Sequence, residues 1–185
     1  MKYNTKKIET ERLILRKFKL SDYKYMFNNW ASCEEVAKNA GWPKHEKMSD
    51  TKELVQFWID EYKNENVFNW IIELKGKEPI GSITVVRSDL INRTCEIGYN
   101  IGKEYWGNGY ATEAIKYVVD YLFNTGLFDT IIAQCFEFNI PSIKVLENNQ
   151  FIREGILRNR YIIDNKKVNL VVVSLLKEDY YAKKD

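Results

Sequence analysis

Gly107-x-Gly109 falls between a β-branched run and an amphipathic stretch, and the order strand, glycine loop, helix is one that binds phosphates. The unpaired N–H groups of a first helical turn and the helix dipole face an anion, and glycine lets the backbone come close to it. A nucleoside-triphosphate loop needs GxxxxGK[ST], and no Lys-Ser/Thr pair follows these glycines. A dinucleotide fingerprint needs GxGxxG, whereas the sixth position here is Thr112. It also needs an acid at the end of the next strand, whereas Asp129 falls at the start of that strand. A tight strand-to-helix turn that holds no ligand stays open beside these.

Upstream, Glu96 lies in the strand that leads to the loop. Strand alternation puts Glu96, Gly98 and Asn100 on one face and Cys95, Ile97, Tyr99 and Ile101 on the other. Gly98 leaves room beside Glu96, which makes its carboxylate a candidate base; a solvated or ion-paired carboxylate is the plainer role. Other chemistries lack their residues. His45 is the only histidine, which excludes a multi-histidine metal site and leaves little for a histidine triad. Cys33, Cys95 and Cys135 have no CxxC spacing, which argues against a zinc cluster or a disulfide framework. Cys95 and Cys135 read as small buried hydrophobes. Twenty-eight Lys and Arg against 26 Asp and Glu leave a net +2, too balanced for a protein built to grip DNA or an anionic membrane. The lysine pairs Lys6-Lys7, Lys166-Lys167 and Lys183-Lys184 read as solvated surface. No apolar run approaches ~18 residues and the N-terminus has no apolar h-region. The expectation is a soluble protein of the reducing cytoplasm.

The elements that must position these residues follow from periodicity. At 185 residues, 45% hydrophobic and 29% charged, the chain reads as one globular domain over 1–185. Arg12–Phe18 predicts a first strand, and Ser21-Asp22 a cap for a helix through Asn28. A helical stretch follows near Cys33–Ala37. Asp50 with Glu53 resembles a capping box, before Leu54, Phe57, Trp58 and Tyr62 at helical spacing. Asn69–Leu74, Ile80–Arg87 and Thr94–Ile101 read as strands. After the glycines, Ile115, Val118, Val119 and Leu122 mark one face of a helix and Glu113, Lys116 and Asp120 the other, with Gly126 at its end. A strand Thr130–Phe136, a short helix after Pro141 and strands Ile152–Leu157 and Val168–Leu176 complete a mixed α/β or α+β sheet. Core packing is the expectation for Trp30, Trp42 and Trp58, and a loop for His45.

The run Glu96-Ile97-Gly98-Tyr99-Asn100-Ile101, then Trp106-Gly107-Asn108-Gly109-Tyr110-Ala111-Thr112-Glu113, resembles the GNAT superfamily of acetyl-CoA-dependent N-acetyltransferases. More narrowly it resembles the branch of the ribosomal-protein N-terminal (RimJ/RimL-like) acetyltransferases. Asn139-Ile140-Pro141-Ser142 with Phe151, the opening Glu9–Arg16 and the closing Val173–Tyr180 agree, so the likeness spans nearly the whole chain. The resemblance implies a mixed, mostly antiparallel sheet of about seven strands flanked by about four helices. It implies acetyl-CoA as co-substrate and no metal. The pyrophosphate would sit on the amides of Trp106, Gly107, Asn108, Gly109, Tyr110, Ala111 and Thr112. A bulge near Gly98–Ile101 would free strand amides at Tyr99 and Ile101 for the thioester arm. Asn139 would hold the pantetheine arm, and Ser142 would serve as cofactor contact and general acid; an ordinary helix-start serine is its plainer role. The partner implied is an amine acceptor, a protein N-terminus or a small molecule, with the chain a monomer or homodimer. Two positions depart from the pattern. Leu146 stands where the family's tyrosine acid falls, and Gln150 where a glycine precedes Phe151, so Asn148 or Asn149 is expected to carry the left-handed helix end.

Acetyl transfer to an amine needs an uncharged nitrogen, a polarised thioester carbonyl and a proton for sulfur. At pH 7 an α-amine of pKa ~7.8 is roughly 10–15% neutral, whereas lysine at ~10.4 is neutral well below ~0.1%. An α-amine therefore asks little of a base, and one carboxylate acting through water suffices.

Overall fold

β-Branched runs set the strands and one amphipathic face sets each helix in the computed structural model, which describes residues 3–182; Lys183-Lys184 lie outside these. Eight strands form a mixed, mostly antiparallel sheet in the order β1 (Ile8–Glu9), β2 (Leu13–Arg16), β3 (Asn69–Leu74), β4 (Pro79–Asp89), β5 (Thr94–Ile101), β6 (Thr130–Phe136), β8 (Lys166–Leu176), β7 (Ile152–Ile163). The α-helices among the described residues are α1 (Tyr23–Met26), α2 (Glu34–Ala40), α3 (Met48–Glu61), α4 (Tyr110–Asn124), α5 (Ile140–Asn148) and α6 (Lys177–Ala182). The chain divides into two compact units, residues 3–84 with Tyr99–Tyr117, and Val85–Gly98 with residues 118–182.

In the first unit β2 pairs antiparallel with β1 and β3, Leu15 opposite both Ile8 and Ile72. Leu13, Leu15, Trp70, Ile71 and Ile72 are wholly buried. Phe18, Met26, Trp30, Val36, Val55 and Ile71 form a core onto which Trp42 and Trp58 pack, as expected for the tryptophans. Arg16 ties this core's edge together. Its guanidinium grips Asp22 through two bonds of 2.8 and 3.0 Å and reaches Glu73 at 2.7 Å. The single helix expected from Ser21 to Asn28 is instead a 3-10 turn (Leu20–Asp22), α1 and a π turn (Phe27–Ala31). Asp22 does not cap α1 with its side chain; as the third residue of the 3-10 turn it reaches back and accepts the Lys19 N–H at 2.7 Å. The box expected at Asp50 and Glu53 also shifts: α3 starts at Met48 and Asp50 accepts the Lys47 N–H. His45 lies in the loop before α3, bonded to Thr51 at 2.7 Å.

In the second unit β5 and β6 run parallel from Thr94↔Thr130 to Ile97↔Ala133, and β6 continues to Phe136. β8 pairs antiparallel with β6 and with β7. Asp164 and Asn165, both at positive φ (50° and 60°), join β7 to β8. That is the two-residue hairpin whose twist matches the strands, and it carries both strands beyond the ends expected at Leu157 and Val168. Val118, Val119, Leu122 and Phe123 of α4 are at most 1% exposed, and Gly126 (φ 72°) follows its end. Cys95 and Cys135 are buried and all three cysteines are free. No helix among the described residues is long and apolar enough to cross a membrane.

Candidate functional site

The glycine loop belongs to the first unit. After β5, the Gly102 N–H returns to the Ile80 carbonyl at 2.7 Å and a 3-10 turn spans Lys103–Tyr105. The Trp106 indole N–H then bonds the Ile101 carbonyl at 2.7 Å. Trp106 and Ile101, both expected at the cofactor, thus come together as a tether that fixes where the loop starts. Gly107 and Gly109 sit at φ 76° and 77°, the left-handed region that side chains disfavour. Asn108 turns its amide back to the carbonyls of Tyr105 and Trp106 (3.2 and 3.0 Å), so its side chain stiffens the loop. Residues 106–109 are exposed.

The first intrahelical bond of α4 runs from the Glu113 N–H to the Gly109 carbonyl, 3.0 Å. The helical amides of Tyr110, Ala111 and Thr112 precede that ladder and lie at the positive end of a fifteen-residue helix. A short row of amides with two glycines before it can hold an anion such as a diphosphate without a basic side chain. Tyr99 is half-buried near the end of β5.

Sequence reasoning missed the residues that brace this loop. Glu113, expected on the solvent face of α4, is turned onto the turn between β1 and β2 instead. It accepts the Thr10 hydroxyl at 2.5 Å, the Arg12 N–H at 2.9 Å and the Arg12 guanidinium at 2.6 Å. Burial disfavours its charge, but the bonds from Thr10 and Arg12 outweigh that and hold the carboxyl below its ordinary value. A pairing between residues a hundred positions apart leaves no periodic signal in one sequence.

Glu96, Asn139 and Ser142 belong to the second unit. Glu96 lies opposite Ile132 in the β5–β6 ladder, half-buried. Among the described residues its carboxylate makes no hydrogen bond or ion pair. A Cβ at Gly98, on the same face, would lie 3.2 Å from Val86, so the space there is narrow.

Asn139 is the N-cap of α5. Its side-chain oxygen accepts the Ser142 N–H at 3.2 Å, which leaves the donor capacity of the amide NH2 unused by this cap. The Ser142 hydroxyl hydrogen-bonds the Cys135 side chain, whose thiol burial pushes up to about 11. Cys135 alternates with Ile131 and Ala133, whereas Glu96 lies beside Ile132. The carboxylate and the hydroxyl therefore belong to opposite faces of the same ladder. The buried thiol of Cys95 is likewise raised, to about 12.

Leu146, at the tyrosine position, is 1% exposed and part of the core. The left-handed residue ending α5 is Gln150 itself, at φ 69°, while Asn149 stays at −94°. The expectation that an asparagine would take that role is thus corrected: Gln150 adopts the glycine conformation, with its side-chain oxygen buried and without a partner. Among the described residues no group of three or more His, Cys, Asp or Glu is placed to hold a metal ion.

Comparison with known proteins gives a consistent result. Residues 12–152 match the model of a family described as acetyltransferase (GNAT) domain. An N-acetyltransferase of Bacillus licheniformis, p20, is 33% identical over 173 residues, 92% of this chain and 96% of that one. A ribosomal-protein-serine acetyltransferase of Escherichia coli is 26% identical over 131 residues, 70% of this chain and 73% of that one. The crystal structure of a GNAT-family acetyltransferase from Bacillus anthracis superposes with a TM-score of 0.80 at 28% identity, covering 94% of this chain and 99% of that one.

Proposed function

Because the chain belongs to the acetyltransferase (GNAT) family, we propose that it transfers the acetyl group of acetyl-CoA to the N-terminal α-amine of a protein, by direct attack in a ternary complex. The observation that carries this reading is the exposed loop with Gly107 and Gly109 at φ 76° and 77°, opening α4 with amides ahead of its hydrogen-bond ladder. These amides hold the pyrophosphate of acetyl-CoA, which supplies the activated thioester. The amide NH2 of Asn139, which the cap bond from Ser142 does not use, suits a carbonyl of the pantetheine arm. The reading further requires a strand bulge at Gly98–Ile101 that turns the amides of Tyr99 and Ile101 toward the thioester.

Glu96, half-buried, takes the proton of the attacking amine through a water. The new N–C bond forms as the C–S bond breaks, and the departing sulfur receives its proton from Ser142, whose hydroxyl takes a proton in turn from solvent through a chain of water. An α-amine is favoured over lysine because one carboxylate and a water can deprotonate it at neutral pH. The likeness to the E. coli ribosomal-protein-serine acetyltransferase points the same way.

The test is turnover by thiol release with a peptide acceptor. Glu96→Gln and Ser142→Ala are each expected to lower kcat by about 10²-fold while acetyl-CoA still raises the melting temperature. Full rate in both variants would overturn the assignment of base and acid.

A further inference from the structure

We infer that Arg12 is a positioning residue whose guanidinium cancels the charge of Glu113 and aims the glycine loop at its anion; the inference rests on the acetyl-CoA reading of that loop.

An acid in the first turn of a helix is stabilised by the helix dipole. The same acid repels any other anion that comes to those amides, so Glu113, four residues after Gly109, is in an unfavourable place for a diphosphate site. The structure removes the conflict. Both Glu113 oxygens are turned onto the turn between β1 and β2, one held by the Thr10 hydroxyl and the Arg12 N–H, the other by Arg12 Nε at 2.6 Å.

The same guanidinium reaches the loop. Its Nη1 donates to the Asn108 carbonyl at 2.9 Å, its Cζ lies 4.7 Å from the centre of the Tyr110 ring, and its Nη2 lies 3.6 Å from where a Cβ on Gly109 would stand. In a trans peptide the C=O and the following N–H point in opposite directions. Holding the Asn108 carbonyl toward Arg12 therefore aims the Gly109 N–H away from it. One side chain thus neutralises the competing carboxylate and orients an amide, with no need to touch the ligand.

A passive bridge and a charge-compensating brace predict different signs. If Arg12 and Glu113 merely hold the turn between β1 and β2 to α4, removing either weakens acetyl-CoA binding alike. If Arg12 compensates Glu113, only loss of the arginine does harm. For the full-length chain, Arg12→Ala is expected to raise Kd and KM for acetyl-CoA about tenfold, more at low ionic strength, with KM for the amine unchanged and kcat little altered. Glu113→Gln is expected to bind acetyl-CoA as tightly as the parent or tighter, and Arg12→Ala/Glu113→Gln to recover much of the loss. Arg12→Lys keeps the charge without the fork and should fall between parent and Arg12→Ala; it carries the test if the alanine variant does not fold. Equal weakening by Arg12→Ala and Glu113→Gln, with no recovery in the double variant, overturns the inference. Gly109→Glu separates the two levels. If it abolishes acetyl-CoA binding while Arg12→Ala changes nothing, the brace is wrong and the loop reading stands; if Gly109→Glu binds normally, the loop reading itself fails.

Discussion

Replacing Gly107 with alanine separates what the loop costs in folding from what it does for a ligand. Gly107 sits at φ 76°, and a Cβ built there meets nothing within 4 Å. The substitution therefore carries only the penalty of an L side chain in the left-handed region, about 1–2 kcal/mol. For a chain of this size that lowers the melting temperature by about 3–6 °C. Gly76, in the turn between β3 and β4, has the same geometry, φ 73° with nothing within 4 Å. Gly76→Ala should cost the same stability and serves as a matched control. The two differ only if a ligand approaches Gly107. The new methyl would then stand where a phosphate must come, and losing one charge-assisted amide bond corresponds to about tenfold or more in acetyl-CoA affinity. Melting curves without ligand should overlay for the two variants, while calorimetric titration with acetyl-CoA should weaken for Gly107→Ala alone. Equal affinity in both would refute the claim that the anion lies against this loop.

Two further outcomes follow from the geometry. Gln150→Gly should raise the melting temperature by about 2–4 °C, since it relieves a left-handed residue worth about 1 kcal/mol and removes a buried, unpartnered oxygen; an unchanged or lower value would contradict that origin of strain. The Glu113 carboxyl, held below its ordinary value of 4.5, adds stability that is complete above about pH 4.5 and is lost as pH falls through the folded-state value. The gap in melting temperature between the parent and Glu113→Gln should accordingly be constant near neutrality and close below that point, and a gap independent of pH would count against it.

Strands whose apolar residues are buried were readable to the residue: β3, β5 and β6 have the boundaries that their β-branched runs imply. Much of β7 was not, because residues 152–163 are mostly exposed and show no alternation; the Asp-Asn turn, more than the strand, specifies the hairpin. The two-residue β1 is too short to carry a pattern. Around Phe27 the helix unwinds into a π turn while Trp30 is wholly buried, a packing demand that spacing alone does not express. The glycine loop was legible since only glycine accepts its φ without strain. Its brace was not, since Thr10, Arg12 and Glu113 meet only after the sheet has formed.

Thiol release from acetyl-CoA against peptides with varied free N-termini, the same peptides blocked at the α-amine, and polyamines tests the central claim most directly. The account predicts release that depends on a free α-amine, with the acetyl group found on that nitrogen by mass spectrometry. Acetyl-CoA binding without release to any amine, or acetylation confined to polyamines or lysine side chains, would contradict it.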